Sequence, residues 1–150
     1  MEYRDMYRVF QCAKQHYSEK KWEHAKKVCE YVEQDPRYAL MSIEQQNFIR
    51  AVAIAHDVIE DTKCSWSELQ GCIEDEDERR KFYIAVDLLT HRKPDYGYEE
   101  YVAMIVRSKN LFAIMVKQAD MKDHLYRKNT LSDKLKRKYE PVIPLLLGID

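Results

Sequence analysis

The stretch Phe48–Thr62, FIRAVAIAHDVIEDT, decides how the rest of the chain is read. From Phe48 to Ile59 it is almost continuously apolar, and a helix of that composition must be buried on most sides. Such a helix belongs at the centre of a bundle, and Ser42 with Glu44 and Gln45 is placed to open it. Its end, AHDVIEDT, then sets four ionisable side chains within six residues at the tail of the buried run. A bare ion in a low-dielectric interior costs several kcal/mol or more, so these groups need partners, hydrogen bonds or a metal ion. On a continuous helix His56 and Glu60 are i,i+4, as are Asp57 and Asp61, while Asp57 and Glu60 are i,i+3. All four then lean toward one cleft.

Working outward, the other apolar residues also recur at helical spacing. Met6, Val9, Phe10 and Ala13 predict a helix from Asp5 to about Lys14. Ser18 is a natural N-cap for a second, with the stripe Trp22, Ala25, Val28, Cys29 and Val32, stopping before Asp35-Pro36. Trp66, Leu69 and Ile73 suggest a short helix, and Glu74–Arg80 (EDEDERR) a solvated helix start leading into Phe82, Ala85, Val86, Leu88 and Leu89. After the turn residues Asp95-Tyr96-Gly97, further helices are expected at Tyr98–Val106, Leu111–Leu125 and Leu131 to about Tyr139, the last closed by Pro141 and Pro144. Only three Gly and four Pro stand in 150 residues, too few for a turn-rich sandwich or barrel. The expected fold is all-α, a single compact helical bundle spanning residues 1–150, since chains divide only when cores outgrow roughly 200 to 300 residues.

Charge narrows the function. With 25 basic residues against 26 acidic there is no overall field favouring DNA or an anionic membrane. The opening is charged from its second residue and lacks the apolar core of a secretory signal, which together with the absence of a long apolar run points to a cytoplasmic protein with no membrane partner. Cys12, Cys29, Cys64 and Cys72 form no CxxC pair and read first as reduced structural thiols, with a disulfide or a metal site as the alternatives.

His56-Asp57 supplies one imidazole nitrogen and one carboxylate oxygen, a mixed donor set suited to manganese, iron, zinc or a similar divalent ion. Two ligands do not hold a metal. The further candidates are His24, on the preceding amphipathic helix, and Asp120, set in an apolar helix where a lone carboxylate is costly. A cation held this way activates a water as nucleophile and neutralises charge on a phosphoryl oxygen.

The separated His24, the doublet His56-Asp57, the following Glu60-Asp61 and the late Asp120 resemble the signature of HD-domain metal-dependent phosphohydrolases. The likeness is closest to the RelA/SpoT-type alarmone hydrolases: His56–Thr62 stands as HDVIEDT against that branch's HDxxEDT, and Val116–Asp120 as VKQAD against VKLAD. It runs from about Ala13 to about Leu147. The resemblance implies a helical HD-type bundle in which His24, His56, Asp57 and Asp120 ligate one divalent ion, usually manganese, with Fe2+ or Zn2+ as alternatives. It further implies Glu60 and Asp61 as the acidic pair that orients or deprotonates the attacking water, and Lys117 one turn before Asp120 as a substrate or carboxylate contact. The implied reaction is hydrolysis of a nucleotide phosphoester, in that branch release of pyrophosphate from the 3' position of guanosine 3',5'-bis(diphosphate), ppGpp. Two departures stand out: Ser18–Glu23 (SEKKWE) replaces the branch's Gly-Pro-Tyr stretch, and His124 occupies the place of its usual Asn. His124, i,i+4 from Asp120, is a candidate substrate or metal contact, and Arg92 and Lys93 are candidate phosphate contacts if they edge the cleft rather than cap a helix. The basic run Arg127, Lys128, Lys134, Lys136, Arg137 and Lys138 reads as a solvated face, and Tyr96, Tyr98, Tyr101 and Tyr126 as packing residues able to stack on a base. The alternative class is a noncatalytic HD-type module that binds a nucleotide or a partner protein.

Overall fold

Side-chain caps set the frame. The computed structural model describes residues 1–126 and 133–147, which are helical with no strand among them. Helix α1 (Tyr3–His16) is followed by α2 (Glu19–Gln34), whose Ser18 cap accepts from the Lys21 N–H at 3.2 Å. The single turn α3 (Pro36–Ala39) begins at Asp35-Pro36. A reciprocal capping box of Ser42 and Gln45 opens the central helix α4 (Ile43–Ala55). The short α5 (Val58–Asp61) and α6 (Trp66–Gln70) lead to α7 (Glu76–Leu88), capped by Asp75 and starting in the acidic run. Next come α8 (Tyr98–Ser108), α9 (Leu111–Tyr126), α10 (Asp133–Tyr139), a 3-10 turn (Glu140–Val142) and α11 (Ile143–Leu147).

Helix α4 packs on α1, α2, α7 and α9, and α2 also lies along α9. The all-α bundle is thus built around the apolar run. Phe48, Ile49, Val52 and Ile54 are buried within one core cluster that also takes Val9, Val28, Phe82, Ile105 and Met115. Full burial of one such aliphatic side chain contributes about 1.5–3 kcal/mol, and Ile49→Ala or Ile54→Ala should cost roughly 2–5 kcal/mol through transfer and cavity terms. Helix α9 is buried even at Lys117, Gln118, Asp120 and Asp123. Gln118 is satisfied there, accepting from Arg37 at 2.6 Å and donating to the Leu146 carbonyl at 2.7 Å, which ties α3 and α11 to α9. No helix among the described residues is long and apolar enough to cross a membrane.

Two expectations are corrected. The central helix does not run unbroken to Ile59: it ends at Ala55, turns through His56 and Asp57, and resumes as α5. The cause lies in competing donors. The His56 ring donates through Nδ1 to the Ala53 carbonyl at 2.6 Å, and the buried Tyr17 hydroxyl donates to the Ile54 carbonyl at 2.7 Å. Those are the carbonyls to which Asp57 and Val58 would donate in a continuous helix. The Asp57 N–H bonds instead to the Tyr17 hydroxyl oxygen at 3.2 Å. At the other end, α10 stops at Tyr139, as the spacing predicts, but it is not the last helix, for Pro141 and Pro144 lie in further helical turns. They sit in the first turns of the 3-10 segment and of α11, where a missing N–H costs nothing. The predicted start at Leu131 lies outside the described residues.

Candidate metal centre

The break between α4 and α5 turns His56 and Asp57 toward the seam of α2 and α9, where His24 and Asp120 project. One ligand atom from each of His24, His56, Asp57 and Asp120 lies within 4.8 Å of all the others, and this buried group can hold a metal ion. His24 Nε2 is 2.9 Å from Asp120 Oδ1 and 3.6 Å from Asp57 Oδ2. His56 Nε2 stands 3.2 Å from Asp57 Oδ2 and 3.5 Å from Asp120 Oδ1.

The orientation of both imidazoles fits a cation. His24 Nδ1 donates to Asp123 Oδ2 at 2.6 Å, which leaves the Nε2 lone pair facing a carboxylate oxygen at contact distance. Two acceptors so close require a proton or a cation between them. His56, only 2% exposed, spends Nδ1 on the Ala53 carbonyl, and its buried Nε2 makes no hydrogen bond. A buried polar atom of that kind needs a partner. Outer groups holding the second nitrogen of each ring are the usual companions of metal-ligating histidines.

Electrostatics mark the same cluster. Burial works against a charged His56, yet the Asp57 and Asp120 carboxylates raise it well above the ordinary imidazole value. Burial likewise opposes ionisation of Asp57, but the His56 ring holds it down to about 2. For Asp120 burial is again outweighed, first by the Lys117 ammonium and then by the facing His124, His24 and His56 rings, so it lies well below the carboxylate range. Lys117 itself donates to Asp120 Oδ2 at 2.8 Å, and Asp120, Tyr101 and Tyr98 keep it charged against the desolvation of full burial. Its ammonium also sits over the rings of Tyr98 and Tyr101, 5.1 and 5.0 Å from their centroids.

Asp57 and Asp120 of the cluster line a cleft of about 160 Å³, to which His24 and His56 contribute no wall. Glu60 and Asp61 line it beside Asp57 and Asp120, but each is already held. Glu60 Oε1 accepts the His91 N–H at 2.7 Å, while burial, and then Asp57 and Asp61, raise its pKa despite that bond. Asp61 pairs with Lys21 at 2.8 Å. His124 also reaches the cleft, its Nε2 3.2 Å from Asp120 Oδ1 and its ring stacked on Tyr139 at 5.2 Å. Lys93 and Lys138 stand on the rim.

Arg92 is a correction. It does not line the cleft; its exposed guanidinium pairs with Asp87 Oδ1 at 2.6 Å, because the chain past α7 turns His91 and Lys93 inward and Arg92 back toward the helix. Nor do His91–Lys93 cap α7, whose last carbonyls are met by Leu89 and Thr90. Tyr101 is buried with its hydroxyl on the Leu89 carbonyl and its ring against His91, and Tyr126 is exposed away from the site. Of the basic stretch, Lys134, Lys136 and Arg137 are exposed, Lys138 joins the cleft, and Arg127 and Lys128 lie outside the described residues.

Three contributors escaped the sequence reading: Asp123, which orients His24; Tyr17, which holds the helix break; and the His91 N–H, which anchors Glu60. Asp123 had a signal, for it stands i,i+3 from Asp120, on the helix side that also carries Lys117 and His124. The other two act through tertiary bonds across 37 to 40 and 31 residues, which no local pattern encodes. No protein-family model matches the chain, and searches of curated proteins and of solved structures also find no match.

Proposed function

We propose that this protein is a metal-dependent phosphohydrolase that cleaves a nucleotide phosphoester. The observation that carries the reading is the convergence of His24, His56, Asp57 and Asp120 with both imidazole Nε2 atoms directed at the carboxylates and the His56 nitrogen left without a hydrogen bond. The mixed nitrogen and oxygen donors suit Mn2+, with Fe2+ and Zn2+ as alternatives. When bound, such an ion supplies Lewis acidity and charge neutralisation at the phosphoryl group.

The chain's own side chains account for the rest. Glu60, fixed by the His91 N–H and with a raised pKa, is the base that takes the proton of the attacking water. Asp61 positions Lys21 at the mouth of the cleft. The walls hold four carboxylates (Asp57, Glu60, Asp61, Asp120) and four lysines (Lys21, Lys93, Lys117, Lys138), so a divalent ion tips the balance toward a bound anion. Burial and the neighbouring ammonium groups of Lys93 and Lys117 lower the pKa of Lys138, a strain that an incoming phosphate relieves. The cleft is smaller than the roughly 300–1,000 Å³ of sites that enclose a whole drug-sized ligand. It therefore takes the phosphoryl end of the substrate, with the remainder on the rim.

The finer reading, hydrolysis of the 3' pyrophosphate of ppGpp, is supported by the HDVIEDT and VKQAD strings. The four free thiols fit a reducing, cytoplasmic setting. The test is product release from a panel of ppGpp and ordinary nucleoside mono-, di- and triphosphates, with manganese and with EDTA in parallel. Manganese-dependent pyrophosphate release from ppGpp is the expected result. Metal-dependent cleavage of another member replaces the substrate and keeps the chemistry, whereas silence across the panel in metal-loaded protein favours a noncatalytic nucleotide-binding module.

A further inference from the structure

A second group of metal-ligating side chains lies on the far side of Tyr17 in sequence from the α2 ligand. Cys12 and His16 stand one turn apart on α1, and Cys64 follows α5 in the loop before α6. Their ligand atoms all lie within 4.8 Å of one another, with Cys12 Sγ and Cys64 Sγ 3.9 Å apart. A disulfide requires about 2.05 Å between sulfurs. Two thiolates on one tetrahedral zinc, each about 2.3 Å from the metal, are about 3.8 Å apart. The observed spacing matches the second arrangement.

The surroundings are also those of a metal site. Both sulfurs are buried, and His16 is held on this face by Glu68, with Nε2 to Oε1 at 2.9 Å. Carboxylates commonly orient ligating imidazoles in this way. Cys72 lies just past α6, outside that group of three, with its thiol donating to the Glu68 carbonyl at 3.7 Å. It takes a fourth position only by giving up that bond.

We propose that Cys12, His16 and Cys64, completed by Cys72, form a structural site for zinc or a similar thiophilic divalent cation, clamping α1 to the loop that follows α5. Binding releases the three thiol protons to solvent, forms three metal–sulfur bonds and one metal–nitrogen bond, and transfers no electrons. The clamp braces Tyr17, the residue after His16, whose hydroxyl holds the α4–α5 break. The site stands independently of the phosphohydrolase reading, since it shares no ligand with the His24 cluster.

Cobalt(II) added to the reduced, metal-free protein tests it. The expected result is sulfur-to-cobalt charge-transfer absorption that saturates at one sulfur site per chain, with intense tetrahedral visible bands, both displaced by zinc. The His24 cluster offers no sulfur and cannot produce the charge-transfer signal. Cys12→Ser combined with Cys64→Ser should abolish that signal and weaken zinc binding by more than about a hundredfold, whereas Glu68→Gln, which removes only an outer partner, should weaken it about tenfold. Absence of the charge-transfer band from fully reduced, helical wild-type protein overturns the proposal. So does its undiminished persistence in the double variant. The wild-type spectrum alone decides the matter should a variant not fold.

Discussion

The two histidine-bearing clusters flanking Tyr17 differ in donor type and in how firmly they are held. Around His24 and His56 the donors are nitrogen and oxygen, drawn from α2, α9 and the α4–α5 break, and their second atoms are tied to Asp123, Ala53 and Lys117. Around Cys12 and Cys64 the donors are mainly sulfur, from one helix and one loop, with Glu68 supporting from the surface. The first opens onto a cleft lined with lysines and further carboxylates; the second is a group of two buried thiols and a half-buried imidazole. A centre for chemistry leaves positions for substrate and water, while a structural centre fills its own coordination sphere.

The largest effect expected from breaking the first cluster is at Asp120. Asp120→Ala removes a ligand and strands the buried Lys117 ammonium, so turnover should fall by orders of magnitude and the metal-free protein should lose about 3–5 kcal/mol. Denaturant titration measures the loss, and adding Lys117→Met should recover most of the stability but none of the activity. Glu60→Gln should bind metal normally and turn over about 10²–10⁴-fold more slowly. A base must be deprotonated to act, so wild-type rate should fall as pH drops through the raised Glu60 value, above the ordinary 4.5. That acid limb should vanish in the Gln variant, read from a pH–rate profile.

Asp123→Asn sharpens the comparison from one layer out: metal affinity should fall about 10–100-fold by calorimetry, with the fold intact. Tyr17→Phe removes both bonds at the helix break and should cost about 1–3 kcal/mol in thermal or denaturant unfolding. Arg92→Ala, outside the cleft, should leave turnover within about twofold and stability within about 0.5 kcal/mol, as is usual for an exposed pair.

Much of the frame was legible because it is written in local chemistry. Ser18 and Ser42 announce their helices by capping, and the apolar run at Phe48 places α4 at the centre. The four metal-binding candidates were legible as a costly buried set, together with the resemblance carried by HDVIEDT and VKQAD. What local patterns did not carry is the exact path of the chain. The α4 break depends on a tyrosine hydroxyl brought from the end of α1, and the inward turn of Lys93 with Arg92 outward depends on the segment after α7 bonding back to Glu60. Helical spacing alone predicted one continuous face at Phe48–Asp61, and tertiary hydrogen bonds overrode it.

Titration of the metal-free chain with Mn2+, followed by the electron paramagnetic resonance of free manganese, addresses the central claim most directly. Manganese is the suitable probe because the sulfur-rich cluster has little preference for it. The prediction is saturation at one ion per chain in the wild type, lost in Asp57→Ala and in Asp120→Ala variants that remain helical. Manganese staying free at millimolar concentration over folded wild-type protein, or binding undiminished in both variants, contradicts the assignment of His24, His56, Asp57 and Asp120 as a metal centre.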